Sequence, residues 1–401
     1  MPDVLDYLEW RGDLTFCEAP LNEVDNLIFC LLAYVDLDGI IPSDPRHRGV
    51  SIRAAAAEYF FSHPDCGPRP LGYIIPADIL LLFRRMAYTR RYRDLLLTGF
   101  ANESSEESQT QFAALTVRIN DDTLFVAFRG TDDSIVGWKE DFNLSVMDEI
   151  PAQHRATVYL DSLDLPPEGH LYVGGHSKGG NLAVWGALHA KDSLRRRIRK
   201  VFSNDGPGFS EGTVTSEAYK EMEDRIFLYL PEDSFVGLLL EHTDEYTVVK
   251  SNRKGLFQHD GLSWEILGGK FIRAEGLSPM GMKNDTAVRE RIEAMTHAER
   301  RELIRLMFTL LESTGAKTLT ELRSGGVRTA LSLLRGYREL SKEQQETAAY
   351  LWDKLVGKRE EAPRGMQSER IQGKPRDFRQ GVHHKATRGR IKASFFPLLL
   401  P

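Results

Sequence analysis

The stretch Gly175-His176-Ser177-Lys178-Gly179 has the residue types and spacing of a nucleophile elbow, in which a serine hydroxyl stands on a sharp turn between a strand and a helix. An apolar run precedes it and a helical pattern follows it, as this turn requires. Glycine two positions before and two positions after the serine avoids a collision where the strand and helix meet. Amides at the helix N-terminus favour negative charge, so Ser177 is a predicted nucleophile and the Lys178 amide a predicted oxyanion donor. The structural alternative is a glycine-rich turn that holds an ordinary serine.

A serine nucleophile needs a general base, which in this kind of fold follows the serine along the chain and lies at the end of a later strand. His259 meets this condition, because a polar loop carries it beyond a strand-like run. His189 and His297 fall in helical stretches, and His242 is crowded by acidic residues. We therefore predict His259 as the base, with a surface-loop histidine as the alternative.

Two aspartates could orient that base, since Asp205 and Asp233 each follow an apolar strand-like run. Asp205 precedes Gly206 and Pro207, which is typical of an aspartate that forms a turn. Asp233 precedes the apolar run 235–240, which can shield a carboxylate beside an imidazole from water. Chain order favours neither, and on surroundings we expect Asp233 to be the orienting acid.

A second oxyanion donor is expected from the loop after an earlier strand, where the run Phe-Arg-Gly-Thr ends at Thr131. Thr131 offers a backbone amide and a hydroxyl. The following segment brings Ile135, Val136 and Trp138 close together. Two interpretations of these three residues stay open: a flap or wall against the acyl chain, or a helix that packs by its aromatic residue.

The elements that must position these residues change in character along the chain. Residues 22–35 and 77–97 have helical periodicity, and an acidic polar loop follows at 101–110. Two strand-like runs flanking the turn residues 120–122 predict a hairpin. Strand-like and helical runs then alternate, which predicts βαβ units and a largely parallel sheet buried on both faces. Beyond about residue 286 the periodicity is wholly helical.

The chain has 401 residues, of which 41% are hydrophobic and 27% charged, as in an ordinary globular protein. This composition excludes collagen-like, wholly disordered and disulfide-scaffold classes. We predict a helical N-terminal segment packed on the core (1–100), an α/β-hydrolase core (101–285), a helical C-terminal segment (286–357) and a disordered basic tail (358–401).

Charge is uneven along the chain. Residues 358–401 carry eleven Lys and Arg against four Asp and Glu, a net charge of +7. Because the whole chain has a net charge of −6, residues 1–357 have a net charge of −13. An acidic body argues against nucleic-acid binding by the main domain. The basic tail is either a solvated end or a segment that contacts nucleic acid or an anionic membrane.

No run is apolar for long enough to span a bilayer, since the longest, residues 27–35, has nine residues. The acidic N-terminus lacks the features of a secretory signal. The three cysteines, Cys17, Cys30 and Cys66, show no metal-ligand spacing. We therefore expect a cytoplasmic protein that needs no metal or organic cofactor.

Taken together, Phe-Arg-Gly-Thr, then Trp138 and Asp141 in the pattern W-x-x-D, then Gly-His-Ser-Lys-Gly-Gly-Asn-Leu-Ala closely resemble the class 3 lipases. The layout from Leu21 to residue 355 resembles the Mbeg-like domain-of-unknown-function family of bacterial α/β-hydrolase-type proteins. The lipase resemblance matches Ser177 to the nucleophile, Thr131 to the oxyanion residue, Asp233 to the acid and His259 to the late histidine. It departs at the acid, where the family pattern has proline and this chain has Ser234.

These patterns predict an α/β-hydrolase-like, mostly parallel sheet with helices on both faces and helical segments before and after it. The predicted function is a serine hydrolase of lipase or esterase type that cleaves a small-molecule or lipid ester through a Ser-Asp-His triad. Two alternatives stay open. One is a non-catalytic binding protein on the same fold, and the other is a serine acyltransferase.

Overall fold

The computed structural model describes residues 1–64, 78–243, 245–279, 291 and 294–355. The chain divides into two compact units, Met1–Arg289 and Glu290–Pro401. Cys66 and the predicted basic tail, 358–401, lie outside the described residues, so the expectations about them stay predictions.

The first unit is built on an eight-stranded sheet whose spatial order follows the chain from β1 to β8. Neighbours from β1 to β4 are antiparallel, and those from β4 to β8 are parallel, which confirms the predicted α/β-hydrolase-like class. The predicted hairpin is β3 and β4. The strands are β1 Val50–Ser51, β2 Leu96–Ser105, β3 Thr110–Arg118, β4 Thr123–Phe128, β5 His170–His176, β6 Ile198–Asn204, β7 Ile226–Pro231 and β8 Tyr246–Val249.

One face of the sheet is covered by the helices that connect the parallel strands. Parallel strands laid down in chain order by right-handed crossovers put every connecting helix on the same side. Accordingly Val126, Val173 and Val201 share one buried apolar cluster with residues of α6 and α7. The helices of this region are α5 Ile135–Asn143, α6 Pro151–Asp161, α7 Lys178–His189, α8 Asp192–Arg195, α9 Glu211–Val214 and α10 Glu217–Met222.

The opposite face would stay exposed without the N-terminal helices, which are α1 Val4–Arg11, α2 Glu23–Leu32, α3 Ile52–Ser62 and α4 Ile79–Met86. Asn22 caps the N-terminus of α2 by accepting hydrogen bonds from the amides of Val24 and Asp25. Phe29 of α2 is fully buried, with its ring centroid 5.1 Å from that of Phe125 in β4. The N-terminal helices therefore complete the core of the first unit.

The structure corrects the sequence interpretation at the second strand. The helical pattern over 77–97 ends at Met86, and the predicted polar loop 101–110 contains the second half of β2, which pairs with β3. From Ala101 to Ser105 half-buried and exposed residues alternate. Because both sets are polar or small, the two-residue period of this strand was hidden from hydropathy.

A short antiparallel hairpin, β9 Ile266–Leu267 and β10 Lys270–Phe271, follows the sheet. The described part of the second unit is helical: α11 His297–Glu312, α12 Leu319–Ser324, α13 Gly326–Glu339 and α14 Lys342–Leu355. Among the helices described here, none combines the length and apolar character needed to cross a membrane.

Candidate functional site

The turn between β5 and α7 has the strained geometry of a nucleophile elbow. Ser177, the single residue between them, has φ +58° and ψ −135°. A positive φ is uncommon for a residue with a side chain and costs free energy that the surroundings must supply. A Cβ added at Gly175 would lie 1.9 Å from the carbonyl oxygen of Gly179, and one added at Gly179 would lie 2.1 Å from that of Phe128. Glycine is therefore sterically required on both sides of Ser177.

The Ser177 hydroxyl is available for chemistry. Its side chain is half-buried, and it forms no hydrogen bond with any residue that the structure describes. It stands at the N-terminus of α7, where backbone amides point outward and the helix dipole favours negative charge.

A buried histidine–carboxylate pair lies at the same edge of the sheet. His259 ends a 3₁₀ turn at 255–259 and is 9% exposed, and Asp205 follows β6 and is fully buried. His259 Nδ1 lies 2.6 Å from Asp205 Oδ2. Because a carboxylate only accepts, Nδ1 carries the proton and Nε2 of the neutral ring keeps a free lone pair. This is the tautomer that a general base needs.

The other oxygen of Asp205 is also held. Oδ1 accepts hydrogen bonds from Ser234 Oγ and from the Gly237 amide, the latter at 3.2 Å. Ser234 is the residue at which the chain departs from the lipase pattern, and the structure gives its hydroxyl the task of orienting Asp205. Asp205 has φ +51°, so it does occupy a turn, and aspartate tolerates this conformation better than most residues.

The prediction that Asp233 orients His259 is wrong. Asp233 accepts from the Gly255 amide at 2.8 Å and from Ser278 Oγ, so it fastens the turn that leads to His259. The cause is strand order, because β6 lies beside the nucleophile strand β5 whereas β7 lies one strand further away, about 4.8 Å. A carboxylate that follows β6 therefore starts closer to the elbow.

A second histidine, which sequence reasoning missed, holds the backbone of the base. His176 is 6% exposed, and its Nε2 lies 2.7 Å from the carbonyl oxygen of His259. A carbonyl only accepts, so Nε2 carries the proton and Nδ1 accepts from the Tyr34 hydroxyl at 3.0 Å. Burial lowers the pKa of His176 from 6.5 to about 3, so its ring is neutral. The position before the serine was the available signal, but nothing in the sequence points to Tyr34 as its partner.

The loop after β4 borders the elbow as expected. A Cβ added at Gly130 would lie 2.8 Å from Ser177 Cβ, which places this loop directly against the serine. The Thr131 hydroxyl donates to Asp141 Oδ2 at 2.5 Å, so it is not free to face a substrate. Among the described groups none accepts a hydrogen bond from the amide of Thr131 or of Lys178. Both amides can therefore serve an oxyanion.

Behind the Lys178 amide, the Lys178 side chain forms a buried ion pair. Its ammonium, 1% exposed, lies 2.8 Å from Glu140 Oε2 and 2.9 Å from both oxygens of Gln111. Asp141 Oδ1 lies 3.7 Å away. Burial raises the pKa of Asp141 to about 6, against the opposing effect of the Lys178 charge. The ion pair links the elbow to β3 and to α5.

The three residues predicted as a wall or a packed helix lie on α5. Ile135 is buried, as expected for a helix that packs on the core, whereas Val136 and Trp138 are partly exposed. The helical interpretation holds for Ile135, and contact of Val136 or Trp138 with an acyl chain stays a prediction. His189 and His242 bind backbone carbonyls, of Trp185 and Gly237 respectively.

The sheet and the elbow together define a protein of the α/β-hydrolase-like class. The family model described as Mbeg1-like matches residues 86–309, more than half of the chain, and the chain belongs to this family. Among solved structures the chain is similar to M37 lipase, with 15% identity over 53% of this chain and 68% of that one and a TM-score of 0.32. No curated protein matches the sequence.

Proposed function

We propose that this protein is a serine hydrolase of lipase or esterase type that cleaves an acyl ester. The observation that carries the proposal is the strained, half-exposed Ser177 at the end of β5, together with the buried pair of His259 and Asp205 at the end of the neighbouring strand β6. The His176 and His259 rings are 4.7 Å apart between centroids, so the base lies against the residue that precedes the nucleophile.

The geometry supports a two-step reaction. His259 Nε2 takes the Ser177 proton as Oγ attacks the ester carbonyl, and the amides of Thr131 and Lys178 stabilise the oxyanion. Asp205 stabilises the imidazolium, which then protonates the departing alcohol and leaves an acyl-serine. Water, deprotonated by His259, attacks the acyl-serine and releases the carboxylic acid and free Ser177.

A fluorophosphonate probe tests the nucleophile directly. We expect it to label the full chain and the Ser210→Ala control, because Ser210 is an exposed serine at the same edge of the sheet. Ser177→Ala should not be labelled, and its ester turnover should fall by ~10⁶. A series of esters from short to long chains then defines the acyl preference.

Equal labelling of the chain and of Ser177→Ala would contradict the proposal. Labelling of Ser177 without ester hydrolysis, together with transfer of the acyl group to an added alcohol, would make the protein an acyltransferase instead.

A further inference from the structure

The turn that leads to His259 exposes two large apolar side chains. Leu256 and Phe257 are 65% and 72% exposed. They are consecutive, and the general base follows Phe257 by two residues. Single exposed apolar residues are common, but an adjacent pair so close in sequence to the candidate base requires an explanation.

The base of this turn is held by hydrogen bonds to Asp233 and Trp264. Asp233 accepts from the Gly255 amide, and its own amide donates to Gln258 Oε1 at 2.7 Å. Trp264, fully buried, donates its indole N–H to the Gln258 carbonyl at 2.9 Å. Leu256 and Phe257 therefore lie exposed to solvent on a turn that is held in place at its base.

The chain segment that carries this tip is rich in basic residues, and the carboxylates of Asp233 and Asp260 lie at its base. Residues 246–259 contain three Lys and Arg and no Asp or Glu, whereas the body as a whole is strongly acidic. Arg253 is held by Asp260 at 2.9 Å. Lys250 and Lys254 are exposed, and neither forms an ion pair within the part of the chain that the structure describes. Exposed apolar side chains beside lysines are typical of contact with an anionic lipid surface.

The size of the patch favours a membrane over a protein. A stable protein interface buries about 800 Å² on each partner, more than the side chains of Leu256 and Phe257 can supply. Insertion of a tip into lipid needs only these two side chains, because each gains hydrophobic free energy individually. Lys254, three residues before Phe257, adds attraction to anionic lipid at this turn, which favours docking in this orientation.

We propose that the docking tip, defined as Leu256 and Phe257 with the flanking Lys250 and Lys254, inserts into an anionic phospholipid bilayer. Docking there brings the mouth of Ser177 and His259 to the lipid surface. The substrate class is then an acyl ester held in a membrane. This substrate assignment rests on the proposed hydrolase function, whereas docking does not.

The test is vesicle co-sedimentation of the full chain carrying Ser177→Ala, so that turnover cannot alter the lipid. Vesicles are phosphatidylcholine with and without phosphatidylserine. We expect binding to the anionic vesicles, at least about tenfold weaker when Leu256→Ser and Phe257→Ser are combined. The matched control combines Phe61→Ser and Leu267→Ser, which are 83% and 69% exposed and lie on α3 and β9. It should bind like the parent.

The charge contribution is tested in the same assay. Lys254→Gln should weaken binding to anionic vesicles by about fivefold at low salt, and high salt should erase this difference. Lys220→Gln, an exposed lysine of α10, is the control and should leave binding unchanged.

Absence of vesicle binding, or equal loss in the tip and control variants, overturns docking by this tip. Unchanged binding of the tip variant also overturns it and assigns the contact to another surface, such as the basic residues 358–401. Self-association that the tip variant abolishes would make a second copy the occupant. Fluorophosphonate labelling reports separately on the hydrolase function, so the two proposals can fail independently.

Discussion

Replacing Asp205 by asparagine tests the site at the hydrogen bond that defines it. The asparagine is nearly isosteric, and its oxygen can keep the hydrogen bonds from Ser234 and Gly237. Its amide nitrogen then takes the place of Oδ2, 2.6 Å from His259 Nδ1, and presents a donor to a donor. His259 must shift its proton to Nε2, and that nitrogen can no longer accept a proton from Ser177.

The expected loss is large because the wrong tautomer removes the base and the imidazolium also loses its counter-charge. A buried aspartate in this role is worth ~10⁴ in turnover, or about 5.5 kcal/mol at about 1.36 kcal/mol per decade. The matched control is Asp233→Asn, which alters the hydrogen bonds to Gly255 and Ser278 but not to the base. The asparagine keeps an oxygen for one of these two bonds, so the substitution should cost less than about tenfold, the effect of the other bond alone.

The assay is kcat/KM on a soluble short-chain ester, with the rate of fluorophosphonate labelling as an independent measure of Ser177 activation. Circular dichroism and the melting temperature show whether each variant is folded. If folded Asp205→Asn retains more activity than Asp233→Asn, the assignment of the acid from this structure is refuted.

Two further outcomes follow from buried contacts. Between about pH 3 and 6.5 the unfolded chain binds a proton at His176 that the native chain excludes, so native stability should fall by up to about 1.4 kcal/mol per unit as the pH falls. In His176→Phe the free energy of unfolding, measured with urea, should lack this pH dependence. The same pH dependence in the variant and the parent would contradict a buried neutral His176. Gly179→Ala should lose about 1–3 kcal/mol or fail to fold, because its Cβ meets the backbone of Phe128. Gly212→Ala, whose added Cβ would meet only Ser210 Oγ at an ordinary contact distance of 3.9 Å, should melt like the parent, and equal melting of both would contradict the steric argument.

The elbow and the parallel sheet could be predicted because they depend on local sequence. The glycines on either side of Ser177 reflect a local steric constraint. The alternation of apolar strands and helices indicates a parallel sheet. The second strand could not be predicted in this way, because Ala101–Ser105 lies where both faces carry small or polar residues. Hydropathy has no period there, although the backbone pairs with β3.

The acid could not be predicted because the choice depends on spatial order. Asp205 and Asp233 both follow strands and both precede the base, and only the sheet order shows which strand lies beside β5. The local sequence was misleading, because the chain does bend at Asp205, but the carboxylate contacts His259. The contact of Tyr34 with His176 is likewise a tertiary contact that no local pattern encodes.

Lys178 combines a proposed catalytic role, through its amide, with a structural role, through its side chain. Its amide is the proposed oxyanion donor, while its ammonium is buried against Glu140, which also accepts from the amides of Gln111 and Ala152. A buried ion pair adds little stability compared with apolar residues, because the cost of desolvation offsets the attraction. Loss of one partner is nevertheless destabilising, because it leaves an unpaired buried charge. What the pair does supply is a fixed geometry. Since Glu140 lies on α5, directly before the Asp141 that accepts from Thr131, the side chains of Thr131 and Lys178, whose amides are the proposed oxyanion donors, are held by neighbouring residues of one helix.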